Sequence, residues 1–246
     1  MTWPKQLLGA ALLSALCLCA LSTTSASATT VRVCKSVFSG FYTNSDCSKA
    51  GIGSFETVVE EIGKNVTATT EGTTKFTVTA KLEGVAGKIS CTTMSGGWNA
   101  ENFINEKSEE EVKGTNIKMK FSGCTVEEPA GKGCKVKGGG FETPALTGLT
   151  AMEKSAEPTA FEISPPIFNP LGEITLEGCS IPALNTTFKL QGKLVGYVTA
   201  ESPSRIEFTK AGTEAGGLTL GGNKAGVEGV FRSYSPGTGG ETLGII

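Results

Sequence analysis

The sequence predicts a mainly β protein: an antiparallel β-sandwich with Greek-key connections and a small N-terminal disulfide loop, with a partly closed β-barrel as the alternative. Three observations predict it. Apolar and polar residues alternate with a period of two. Glycine- and proline-rich turn signals punctuate the runs. An even set of cysteines follows an export signal.

Lys5 is the only charged side chain before Arg32, and it precedes the apolar run LLGAALLSALCLCAL from Leu7 to Leu21. Ala26-Ser27-Ala28 then supplies a small-residue cleavage site, which completes a secretory signal and places cleavage after Ala28. The run is short for a membrane anchor, which needs about 20 residues. Cys17 and Cys19 lack the small preceding residue that lipid attachment requires and read as apolar filler. The chain therefore divides into a signal peptide (1–28), an N-terminal disulfide loop region (29–65) and a main β domain (66–246). The expected location is secreted or cell-envelope associated.

Cys34, Cys47, Cys91, Cys124, Cys134 and Cys179 remain after cleavage. An even count behind an export signal reads as three disulfides. Six cysteines allow about 15 connectivities. Proximity in sequence favours Cys34–Cys47 and Cys124–Cys134, which leaves Cys91 with Cys179.

The alternation is clearest where Phe76, Val78, Ala80 and Leu82 interleave with Lys75, Thr77, Thr79 and Lys81. Ile117, Met119 and Phe121 alternate with Lys118 and Lys120. Shorter runs are Phe161/Ile163, Ile174/Leu176, Phe188/Leu190 and Ile206/Phe208. Such runs are half-buried antiparallel strands. Gly96-Gly97, Pro129 to Gly131, Gly138-Gly139-Gly140, Pro165-Pro166 and Gly221-Gly222-Asn223 mark turns. Residues 55–64, FETVVEEIGK, are the best helix candidate. Residues 95–115 read as a long exposed connection carrying Glu109-Glu110-Glu111, and residues 235–240 as a loop. Lys120 to Val126 and Thr175 to Ile181 echo each other around Gly-Cys, as strand–glycine–cysteine junctions do in disulfide-rich β proteins.

Four features taken together resemble a large group of uncharacterised exported proteins of soil actinobacteria. They are Val33-Cys34 through Phe41 to Cys47 with Gly53 to Glu56; Lys88 to Cys91; Phe121 to Thr125 with Cys134; and Glu177 to Cys179 with Gly217 to Ala225. They cover most of the chain after the signal, in order. The resemblance implies a secreted, cysteine-rich β protein in a group with many paralogues and no known activity. It carries over no functional residues.

The residue inventory narrows the chemistry. The chain has no histidine, which removes Ser–His and Cys–His nucleophile systems and the commonest metal ligand. Asp46 is the only aspartate, so aspartic dyads and Asp-rich calcium loops lack material. No Ser-x-x-Lys or phosphate-binding glycine motif occurs. The net charge of −2 gives no nucleic-acid footprint. Glutamate is the remaining catalytic route, with Glu162, Glu173, Glu177 and Glu207 on strands, but each is out of phase with its apolar neighbours, as solvent-facing residues are. Trp98, Asn99 and Phe103, near Asn102, form a candidate contact loop; the bland account of Trp98 is a core anchor. Asn65-Val66-Thr67 and Asn185-Thr186-Thr187 match the glycosylation sequon.

The reading that follows is a non-catalytic exported protein working by surface contact, with a cell-envelope or protein partner. It is expected to have no cofactor, metal, nucleic-acid partner or stable membrane insertion. A carrier of a small apolar ligand would need an enclosed cavity. A glutamate-dependent hydrolase would need two carboxylates facing each other about 5–10 Å apart.

Overall fold

Every alternating run becomes a strand with its apolar side turned inward. The computed structural model describes residues 30–45, 47, 49–106, 108, 110–151, 159–198, 205–234 and 243–245; the signal segment and the 235–240 loop fall outside these residues. The chain opens with β1 (Val31–Tyr42), β2 (Ala50–Val59), β3 (Asn65–Gly72) and β4 (Phe76–Leu82). Two long strands follow, β5 (Val85–Ile104) and β6 (Glu110–Glu128). Shorter ones come next: β7 (Lys135–Val136), β8 (Gly140–Glu142), β9 (Leu146–Ala151), β10 (Thr159–Ser164), β11 (Gly172–Glu177), β12 (Thr187–Gln191) and β13 (Leu194–Val198). The C-terminal part holds β14 (Arg205–Phe208), the short helix α1 (Lys210–Ala215), β15 (Thr219–Leu220), β16 (Asn223–Tyr234) and β17 (Leu243–Ile245).

The main sheet is antiparallel and partly ring-closed, so the pairing realises the barrel alternative. One circuit runs β3–β5–β6–β9–β10–β13–β14–β16 and returns to β3. A second runs β4–β5–β6–β7–β11–β12–β15–β16 and returns to β4. The long strands β5, β6 and β16 belong to both. Their length is the reason: one end of β5 pairs with β4 and the other with β3. Closure removes the open edges that invite aggregation.

The alternating residues fill the interior. Val78, Leu82, Ile117, Met119, Phe121, Phe161, Ile163, Ile174, Leu176, Phe188, Leu190, Ile206 and Phe208 are all buried in one core. Aromatic rings thread it: Phe141 stacks on Phe121 at 4.5 Å, and Phe121 meets Phe76 at 4.2 Å. Burying one such ring stabilises by about 1.5–3 kcal/mol. At the β15–β16 hairpin, Gly221 (φ 59°) and Gly222 (φ 79°) form the expected two-residue turn. Both sit in the left-handed region that this tight connection demands. Gly138 and Gly139 likewise make a turn ahead of β8.

Three expectations are corrected. The 55–64 helix does not form; Phe55 to Val59 belong to β2, which pairs with β1. β-branched Thr57, Val58 and Val59 favour the strand. The exposed connection at 95–115 is instead most of a long β5–β6 hairpin, with residues 105–109 between its strands. Its inward positions are Trp98, Ala100, Asn102, Val112 and Gly114, and several are too small or too polar to announce a core face.

The third correction concerns the disulfides. Cys34–Cys47 forms as expected, but Cys91 joins Cys124, and Cys134 joins Cys179. Strand register decides this, not sequence distance. Cys91 and Cys124 are directly opposite across β5 and β6, with Cα atoms 3.9 Å apart. Cys134 precedes β7 and Cys179 lies two residues beyond β11; those strands pair through Lys135↔Glu177, bringing the two Cα atoms to 4.1 Å. The Gly-Cys echo thus marks cysteines of two different bridges.

The short helix α1 was not foreseen. Thr209 caps it, its side chain accepting a hydrogen bond from the Gly212 amide at 3.2 Å. Fully buried Thr213 accepts from the Val227 amide at 2.8 Å and so fixes the helix on β16.

Candidate contact surface

β1 and β2 form a separate ribbon, joined along the first residues of β1 by β17. Burial falls along its length. Val31, Val33 and Cys34 are buried at its root, while Ser36, Phe38, Ser39 and Phe41 are exposed. The ribbon thus forms an arm whose middle residues stand in water. Cys34–Cys47 staples it, and Thr43 donates its amide hydrogen to the Lys49 carbonyl at 3.0 Å near the turn. Gly40 and Gly53 lie opposite each other, and a Cβ on either would collide with the carbonyl of Phe55 or Tyr42. Only glycine permits that approach.

The arm's outer part carries large apolar side chains in water. Phe38 is 104% exposed, Ile52 97% and Phe41 74%. The segment between Ser36 and Phe55 holds two charged residues, Asp46 and Lys49. Isolated exposed apolar residues are ordinary, but three on one stapled ribbon concentrate what a contact surface needs. A second exposed apolar tip is Ile167-Phe168, in the proline-rich turn between β10 and β11, where Phe168 has φ 69°.

At the root, one polar cluster ties the arm to the main sheet. The buried Asn102 carboxamide of β5 accepts from the Val31 amide at 2.6 Å and donates to the Glu60 carbonyl at 2.7 Å. The Asn102 carbonyl accepts from the Gly63 amide at 2.9 Å. The Glu60 side chain, 5% exposed, lies between Lys35 of β1 at 2.7 Å and Lys64 at 2.6 Å. Burial pushes its carboxyl upward, but the hydrogen bonds and charges of the two lysines outweigh this and hold it below the usual carboxylate range.

The sequence-predicted contact loop does not assemble. Trp98 is 4% exposed, packs on Phe161 at 5.5 Å and donates its indole N–H to Ser233 at 3.2 Å. It is a core anchor. Asn99 and Phe103 sit half-buried on the opposite face of β5, and Asn99 accepts from Thr67 at 3.3 Å. Phe38, Phe41 and Ile52 were missed because the arm's apolar residues do not keep one parity: bulges interrupt the pairing near Gly40 and Tyr42.

The cavity bordered by Trp98, Ile117, Met119, Phe161, Ile163, Ile206 and Phe231 leaves about 10 Å³ for the centre of a water molecule. A ligand site of this architecture needs about 300–1,000 Å³ of pocket, and here aromatic rings occupy the space. Glu173, Glu177 and Glu207 are exposed, and Glu162 pairs with Lys193 at 2.7 Å. They are outward-facing strand residues. Asn185 uses both ends of its carboxamide on the Cys179 backbone, at 2.8 and 2.9 Å. Among the described residues no group of three or more metal-ligating side chains converges.

Comparison with known proteins finds no matching family model, curated relative or solved structure.

Proposed function

We propose that this is an exported, non-catalytic protein that works by surface contact, with the β1–β2 arm as its contacting element and a cell-envelope component as its partner. The three disulfides indicate an oxidising, extracellular environment, and no described helix is long and apolar enough to cross a membrane. The observation that carries the proposal is the exposure of Phe38, Phe41 and Ile52 on a stapled arm. Holding large apolar groups in water gains nothing for folding, whereas covering them on contact gains about 25 cal/mol per Å². The staple lowers the ordering cost of that contact.

The test combines Phe38→Ser, Phe41→Ser and Ile52→Ser in one variant and follows the mature chain in envelope and medium fractions. The wild type is expected with the envelope and the variant in the medium, with circular dichroism and disulfides unchanged. A variant retained like the wild type, or a wild type found wholly free in the medium, would contradict the proposal.

A further inference from the structure

We propose that Glu60 is an acid-released latch that sets the position of the arm; this rests on reading the arm as the contacting element. Glu60 lies where β2 leaves the arm and the chain turns towards β3. Its two carboxylate oxygens each hold a lysine, Oε1 with Lys35 on the arm and Oε2 with Lys64 beside β3. One buried carboxylate thus bridges the arm to the chain entering the main sheet. The connection turns at Gly63, which has φ 81° and no neighbouring atom within 4 Å of where a Cβ would stand.

From β1 the charged group is Lys35, and from Glu60's own connection it is Lys64, on which Glu61 also acts. From β5 the facing group is the Asn102 carboxamide, which does not titrate. Protonating Glu60 leaves two ammonium groups without their shared anion, while the Asn102 bonds and the buried Val31 and Val33 persist. The expected result is a loosened arm on an intact body. The latch is in force above the ordinary carboxylate value of 4.5 and is lost as pH falls through the lower folded value. Cys34–Cys47 keeps the released arm a hairpin with its tip preformed.

Hydrogen exchange of the oxidised wild-type chain from pH 7 to pH 3, corrected for intrinsic rates, tests the latch. Protection of β1 and β2 is expected to fall severalfold below pH 4.5 while β5 and β6 keep theirs. Glu60→Gln is expected to show the low arm protection at pH 7 and no further acid step. Lys64→Gln, which leaves Glu60 and Lys35 in place, should show an intermediate loss. Arm and body losing protection together, or an arm unaffected by acid, would overturn the latch; if Glu60→Gln does not fold, the wild-type titration alone decides. None of these readouts requires a partner, so the latch and the contact reading fail separately.

Discussion

Asn102 is the residue on which the arm's attachment turns. Its side chain satisfies the Val31 amide and the Glu60 carbonyl, and its backbone takes the Gly63 amide. Truncation to alanine leaves buried backbone groups without partners, each costing about 1–3 kcal/mol. With two such groups, Asn102→Ala is therefore expected to lower stability by about 2–6 kcal/mol and to raise exchange at Val31 first, measured by denaturant unfolding and hydrogen exchange. Phe121 is the counterpart inside the body, touching both Phe76 and Phe141. Phe121→Ala is expected to cost about 3–5 kcal/mol in urea unfolding, without altering the arm. The alternation of Phe121 with Lys120 made that burial legible in sequence. Asn102 was not legible as an anchor, because a polar residue beside Glu101 reads as surface until its distant backbone partners are known.

The elements show where sequence reading holds and where it stops. Runs such as Phe76 to Leu82 declare a strand because the period-two pattern is local. β2 did not, because Glu56, Glu60 and Glu61 suit a helix as readily as a strand, and only pairing with β1 decides. The arm illustrates the further limit. Its cysteine pair is legible from spacing, but the exposure of its middle residues depends on which barrel strands leave them uncovered. Replacing Cys34 and Cys47 together with serine is expected to loosen the arm while leaving the body's strand content intact. Removing this 13-residue cross-link costs about 3 kcal/mol in the chain-entropy estimate, confined to the arm if it unfolds locally. Circular dichroism together with local hydrogen exchange measures the distinction.

At the scale of the whole molecule, mainly β character follows from composition and period, but ring closure does not. Closure depends on β16 meeting both β14 and β3 at one end and both β15 and β4 at the other. The β15 pairing is a local hairpin, but those with β14, β3 and β4 join residues far apart in sequence, and no local pattern encodes them. The same reason undid the expected cysteine pairing. Cys124 and Cys134 are near in sequence, yet the β6–β7 turn carries them to different neighbours. The two body disulfides close loops with sequence separations of 33 and 45 residues, and by the chain-entropy estimate each stabilises by about 4 kcal/mol. Reduction is expected to lower the thermal midpoint of the body far more than loss of the arm's disulfide alone, as calorimetry with and without reductant would show.

The strand register of the body carries the arm. Peptide mapping of the native, unreduced protein reads that register chemically. The expected linked pairs are Cys34–Cys47, Cys91–Cys124 and Cys134–Cys179. Finding Cys91 with Cys179 and Cys124 with Cys134 would contradict this register, because Cys91 and Cys124 could not then face each other on β5 and β6, two of the three strands common to both circuits.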